Sequence, residues 1–321
     1  MITTLVYRDT RLAATDPAVE TLAALRTEPG VMIWVDLATP TEDEIKQVLQ
    51  DLFAFHPLAI EDCVADTPLP KLEDYDDHLY LVMHAVDYSQ TAHFTTTELD
   101  IFLGKTFLVT FHRQPLKSVE AALDRFRRAP STLVRGPDRF LQVILDLMVE
   151  AYQPALAQLR KNLERMEEGA LRDVAAAELF PQVIALRKDL SNLRKIVRPQ
   201  REIAAELAQS KGRFIRAHIA PYLRDLTGEL VRIETQATAW AEQVVLSFRI
   251  YLNKSGYQAN QGIRVLTALT AITLPAVLVG GWYGMNFEAM PELTHGYAWA
   301  IGATFGTTLL MVLFLKKKKW F

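Results

Sequence analysis

Polar side chains recur along an otherwise apolar stretch in the last quarter of the chain. Asn260, Ile263, Thr267, Thr270, Leu274, Val277, Gly281 and Gly284 fall at roughly helical spacing, and no residue from Val265 to Phe287 is charged. An ion needs a polar lining to cross hydrocarbon, and this face offers one. Asn260 would stand at the cytoplasmic mouth and Asn286 at the outer mouth. Leu266 and Leu274 would form apolar rings that gate by excluding water. Thr267 and Thr270 have a second reading, in which each hydroxyl bonds its own helix backbone, and spacing does not choose between the two. One such face cannot enclose a path, so a pore demands several copies of the chain around an axis.

The elements that must position these residues are two membrane-spanning helices. The first uncharged run is long enough to cross a bilayer and ends in Tyr283-Gly284-Met285-Asn286. A short loop with Glu288 and Glu292 leads to a second uncharged run, Leu293 to Leu315, which stops at Lys316-Lys317-Lys318-Lys319. Two crossings joined this tightly form an antiparallel pair with both ends of the chain on one side, and the lysines place that side in the cytoplasm. The same lysines anchor to lipid headgroups and could also ring the cytoplasmic end of a pore. Arg264 points the same way at the edge of the first span. Trp282, Tyr283, Tyr297, Trp299 and Trp320 suit interfacial belts. Pro275 either kinks the first span or is tolerated because a neighbour covers the freed carbonyl.

Tyr283-Gly284-Met285-Asn286, continued by Phe287-Glu288-Ala289-Met290-Pro291-Glu292-Leu293, resembles the signature of the CorA family of divalent-cation channels. So does the terminal lysine run followed by Trp320. The position between two C-terminal spans makes the match specific, and the resemblance covers the whole chain. It implies a homopentamer in the cell inner membrane, with Mg2+ as both cargo and regulator and Co2+ or Ni2+ as further cargo. Gly284, Met285 and Asn286 would be its selectivity filter. Mg2+ dehydrates reluctantly, so a ring of Asn286 amide oxygens and Gly284 carbonyls would hold it through its waters. Glu288 and Glu292 would act as a diffuse attractor. Asn286 also suits a helix C-cap, a role compatible with the first.

The same resemblance extends to a regulatory site. Pro221-Tyr222-Leu223-Arg224-Asp225 is similar to the motif before the family's long helix, and Asp225 matches its regulatory metal ligand. The family's partner carboxylate comes from the neighbouring subunit, at a strand end that here reads Ala85-Val86-Asp87-Tyr88-Ser89. Whether Asp87 or Ser89 faces Asp225 stays open. Two carboxylates across a subunit boundary repel unless a cation bridges them, so bound Mg2+ would lock the subunits closed.

The body of the chain fits this plan. Its 321 residues suit about two domains, and 50% hydrophobic residues with a mean hydropathy of +0.07 suit a soluble body with a small membrane part. Residues 1–112 carry 19 Asp and Glu against 6 Lys and Arg, or −13; residues 113–321 carry 19 against 29, or +10. An acidic head of this kind concentrates cations by its field, and it also serves solubility. The single cysteine, Cys63, excludes an internal disulfide. The first residues lack the basic start and apolar core of a cleaved signal.

Residues 1–115 are expected to form a cytoplasmic α/β domain with a mixed sheet, residues 116–261 a cytoplasmic region of long helices, and residues 262–321 a two-helix transmembrane domain with spans near 262–283 and 297–315. Strands are expected at Ile2–Tyr7, Val31–Leu37, Leu79–Val86, Thr95–Leu103 and Phe107–Phe111. Thr39-Pro40-Thr41-Glu42 predicts a capping box, with proline at the first helical position, opening a helix to about Phe53. Pro57–Val64 reads as a short helix. Further helices are expected over Asp138–Glu168, stopped by Gly169, and over Val174–Gln209, with Pro181 clouding its start. A third, from Pro221 to Gly281, would be roughly 90 Å long at 1.5 Å per residue.

Other classes find less support. His56, His78, His84, His93 and His112 show no zinc-ligand spacing and are expected mostly at the surface or at strand ends. No phosphate-binding loop, nucleophile elbow or nucleic-acid-binding motif is present, so neither an enzyme nor a nucleic-acid partner is expected. Within the same superfamily the rival is a proton-coupled zinc transporter of ZntB type, which would carry Zn2+. A membrane-anchored helical scaffold is the rival from another class, and an anchored metal-dependent hydrolase is more distant.

Overall fold

The computed structural model describes residues 1–87, 95–128, 135–172, 175–209, 213–285, 296–318 and 320. Among these residues seven strands form one mixed sheet: β1 (Ile2–Arg8), β2 (Arg11–Thr15), β3 (Val31–Ala38), β4 (Lys71–Asp74), β5 (His78–Asp87), β6 (Thr95–Gly104) and β7 (Phe107–His112). Their spatial order is β2-β1-β3-β7-β6-β5-β4, and only β3 and β7 run parallel. The three apolar strands β3, β7 and β6 lie centrally because both their faces are covered. On one face Ile33, Val35 and Leu37 pack with Val109, Phe53 and Ala59. On the other, Trp34 stacks on Phe140 at 5.7 Å and meets Phe126 edge-on at 6.0 Å.

The helices on the first face are α1 (Val19–Leu25), α2 (Glu42–Ile45) and α3 (Pro57–Val64). Thr41 caps α2 and forms the capping box with Glu44, so Pro40 lies before the cap rather than at the first helical position. The helix then continues to Leu52 as a π-helical segment, Lys46–Leu52. The edge strands β2 and β4 and the helix α1 were not expected. Both edge strands lack buried alternation and rest on backbone pairing, with Ala14 of β2 packed against the core and Lys71 of β4 paired with Asp62 and Glu73.

Five further helices follow: α4 (Lys117–Arg127), α5 (Pro137–Glu150), α6 (Tyr152–Leu171), α7 (Ala176–Gln209) and α8 (Ala220–Tyr283), with α9 (Gly296–Lys317) last. The single helix expected over 138–168 is two. Pro154, in the first turn of α6, has no N–H for the Glu150 carbonyl, and the chain breaks at Ala151. Gly169 does not stop α6, which ends at Leu171. Helix α7 runs through Pro181 and also through Pro199.

The chain divides into two compact units, Met1–Leu246 and Ser247–Phe321. In the first, α8 buries Leu223, Leu226, Leu230, Ile233, Ala237 and Val244. Alternating steps of three and four make this a narrow stripe of the kind that packs along other helices. Among the described residues α8 and α9 are the two helices long and apolar enough to span a membrane, and their apolar stretches, in the second unit, are almost wholly exposed.

Candidate functional site

The candidate pore residues sit on one uninterrupted helix. Asn260, Ile263, Leu266, Thr267, Thr270, Leu274, Val277 and Gly281 all belong to α8 and are all exposed in the single chain. Leu266 is 65% exposed and Val277 67%. The threonine hydroxyls donate to their own helix backbone, Thr267 to the Ile263 carbonyl at 2.7 Å and Thr270 to the Leu266 carbonyl at 2.9 Å. The local-bond reading is therefore observed. It leaves each oxygen able to accept from a ligand, because a hydroxyl has two lone pairs. Helix α8 passes Pro275 without ending.

The helix closes at the signature. Gly284 N–H donates to the Gly280 carbonyl at 2.9 Å, and Met285 N–H reaches the Trp282 carbonyl at 3.3 Å. A Cβ on Gly284 would meet the Gly280 oxygen at 2.9 Å, a contact side chains do not make, whereas nothing lies within 4 Å of one on Gly281. That close approach to the Gly280 carbonyl explains a glycine at position 284. Asn286, Glu288 and Glu292 lie outside the described residues. At the other end of the pair, Lys316 and Lys317 occupy the last turn of α9 and Lys318 N–H still reaches the Phe314 carbonyl, at 3.0 Å. Lys319 lies outside the described residues. Trp282 and Trp299 are 58% and 68% exposed.

Asp225 is an exposed residue in the second turn of α8. It is close enough to Asp146 on α5 to act on its ionisation. Burial pushes the Asp146 carboxyl up, the Glu150 charge adds to this, Arg125 opposes it, and Asp225 raises it further. Asp146 and Glu150 were not singled out in the sequence. Their spacing of four on a helical pattern puts both on one face and was the available signal. Asp87 ends β5 by its backbone, while its side chain and all of Ser89 lie outside the described residues. Among the described residues no three His, Cys, Asp or Glu side chains converge to hold a metal ion.

His56 is exposed and His78 and His112 stand at strand ends, as expected, whereas His84 lies within β5. His78 opens β5 and His112 ends β7, but these and His84 are buried, at 1%, 2% and 4% exposure. His56 caps α3 by accepting the Leu58 N–H at 3.3 Å, and His93 lies outside the described residues.

The family profile described as "CorA-like Mg2+ transporter protein" matches residues 29–317. The chain belongs to the CorA-like Mg2+ transporter family. It is 30% identical over 290 residues to the "Putative metal ion transporter YfjQ" of Bacillus subtilis, covering 90% of this chain and 89% of that one. It is 25% identical to the cobalt/magnesium transport protein CorA of Thermotoga maritima, covering 89% and 83%. Among solved structures, the CorA magnesium transporter of Methanocaldococcus jannaschii superimposes with a TM-score of 0.82 at 18% identity, over 99% of this chain and 98% of that one. The CorA fold therefore covers the α/β body, the long helix and the two candidate spans together. The resemblance seen in Gly284-Met285-Asn286 and the terminal lysines is that of a family member.

Proposed function

We propose that the chain forms a homopentameric channel that passes hydrated Mg2+, and also Co2+ or Ni2+, across the cell inner membrane with both termini in the cytoplasm. The observation that carries this reading is the composition of α8. One helix bears Asp225 near its start, the exposed face from Asn260 to Gly281 along its length, and Gly284 and Met285 at its close. Exposed leucine, valine and threonine on a helix that covers them with nothing of its own chain require lipid or further copies. In this reading five copies of the face line the path, with Leu266 and Leu274 as apolar rings and Thr267 and Thr270 as wet ones. Gly284, Met285 and Asn286 form the filter, Glu288 and Glu292 the attractor outside it, and Lys316 to Lys319 a basic ring that also anchors the pair. Inward-negative potential contributes about 2.3 kcal/mol per charge per 100 mV, so a dication gains about twice that without any catalysed reaction.

Closing is assigned to cytoplasmic Mg2+ held between subunits by Asp225 and the strand end at Asp87 or Ser89. Oxygen donors of this kind suit a hard cation that keeps its waters. The carboxylates of Asp146 and Glu150 add to the negative charge around Asp225.

The test is ion entry into vesicles holding the purified protein, with a Mg2+ dye in one set and a pH dye in another. Mg2+ entry that follows membrane potential, ignores the proton gradient and fails in Asn286→Ala is expected. Zn2+ entry coupled to a pH change would move the chain to a ZntB-type proton-coupled transporter. No cation flux from folded protein would leave the scaffold reading.

A further inference from the structure

A cavity of about 500 Å3 opens in the α/β body between β5, β6 and the segment that follows α3. His84 and Glu98 face each other across the β5–β6 pair, and Asp100 lies two residues further along β6. Alternation puts all three side chains on one face of the sheet, and all three line the cavity. His84 is 4% exposed, and its Nδ1 is buried with no hydrogen-bond partner. Glu98 accepts the Thr67 N–H on Oε2 at 2.9 Å, which leaves Oε1 buried and unpartnered. Asp100, 2% exposed, accepts the Tyr80 hydroxyl on Oδ1 at 2.6 Å. The cation of the lining, Arg113, is committed to Asp66 and to the carbonyl oxygens of Cys63 and Val64.

Unpartnered buried acceptors facing a polar cavity are costly unless something donates to them. Were Asp66, Glu98 and Asp100 all ionised beside Arg113, the lining would carry three negative charges and one positive, a balance of −2 that burial opposes while the cavity holds no cation. We infer that this cavity holds one hydrated divalent cation inside each protomer, bound through its water shell by His84, Glu98 and Asp100. Six waters at about 30 Å3 each fill roughly 180 Å3, which the cavity accommodates. Among the described residues no three His, Cys, Asp or Glu side chains converge to hold a metal ion directly, so an ion here would have to keep its waters, as Mg2+ does. Burial pushes both the Glu98 and the Asp100 carboxyl up, and a dication offsets that cost. The site is separate from Asp225 and does not rest on the pore. Its link to the helices is direct, since the His84 carbonyl accepts from Tyr152 of α6 and Gln200 of α7.

The experiment uses the purified full chain in detergent with Asp225→Asn, which removes the proposed subunit-boundary ligand. It is titrated with Mg2+ and with hexaamminecobalt(III), whose ligands do not exchange and which can bind only through its outer N–H groups. One ion per chain is expected for each probe, whereas a site on a pore axis takes one per assembly. Glu98→Gln weakens both at least tenfold. Thr96→Lys, at the exposed rim of the cavity, places an ammonium where the ion sits and removes the one-per-chain component; it decides alone if Glu98→Gln does not fold. No one-per-chain binding in the Asp225→Asn protein, or binding unchanged by Thr96→Lys, overturns the inference.

Discussion

Tyr152 on α6 donates its hydroxyl to the carbonyl oxygen of His84 on β5 over 3.1 Å, with both residues buried. Gln200 on α7 donates to that same carbonyl at 3.1 Å and to the Tyr152 hydroxyl at 2.8 Å. Two helices are thereby pinned to the strand that ends at Asp87. Tyr152→Phe keeps the packing and removes one donor, while the His84 carbonyl still has Gln200. A loss of about 1 kcal/mol is expected in unfolding of the full chain. A loss above about 3 kcal/mol would mean that the hydroxyl does more than bond this carbonyl and Gln200.

A second buried pair sets a pH dependence. His112 Nε2 lies 3.3 Å from Asp36 Oδ1, with both side chains buried. Burial alone would push His112 down; the Asp36 carboxylate and the Gln114 carbonyl outweigh it and hold His112 above the ordinary histidine range. The folded value exceeds the unfolded one. The stabilisation is therefore complete below about pH 6.5 and is lost as pH rises through the elevated folded value. Thermal unfolding of wild type and His112→Gln should differ most at acid pH and converge as pH rises. A difference that grows with pH would reverse the assignment.

Two glycines in one helix end separate folding from conduction. Gly284→Ala drives a Cβ to 2.9 Å from the Gly280 carbonyl and should distort the close of α8. A fall in ion flux of at least tenfold is expected, with a lower melting temperature. Gly281→Ala meets nothing in its own chain, so the protomer should fold unchanged. If Gly281 faces a shared path, its alanine should narrow that path and lower flux without moving the melt. Unchanged flux in both variants would remove this helix end from the conducting face.

Asp225 can be read by its ligand dependence. Mg2+ at a hundredfold excess over its dissociation constant stabilises a site by about 2.7 kcal/mol, and at a subunit boundary it also favours the assembled form. Asp225→Asn should abolish the part of the Mg2+-induced rise in melting temperature that depends on assembly, together with the Mg2+-dependent protection of the assembly from protease, and leave the part contributed by an ion inside each protomer. It also removes one of the charges that raise Asp146, so that carboxyl should move down towards its ordinary range. Full Mg2+ protection in Asp225→Asn would place regulation elsewhere.

Patterns that depend only on neighbours along the chain were legible in advance. The two apolar runs, the boundaries of α3, the central strands and the glycine at the signature follow from hydropathy, proline placement and backbone freedom, which act over a few residues. The family likeness rested on the same local order of Gly284, Met285, Asn286 and the lysines. Tertiary structure decided what burial and pairing decide. Edge strands β2 and β4 carry no apolar alternation because one side of each has no partner, so only the fold reveals them. Periodicity ran on through Ala151, while Pro154 removed the backbone donor that would have joined α5 to α6. His84 became a buried group, and Asp146 a neighbour of Asp225, only when distant segments met. Local physics thus determined which segments form. The cost of burying charge and leaving acceptors unpaired, set by contacts between distant segments, determined which residues stand together in the candidate sites.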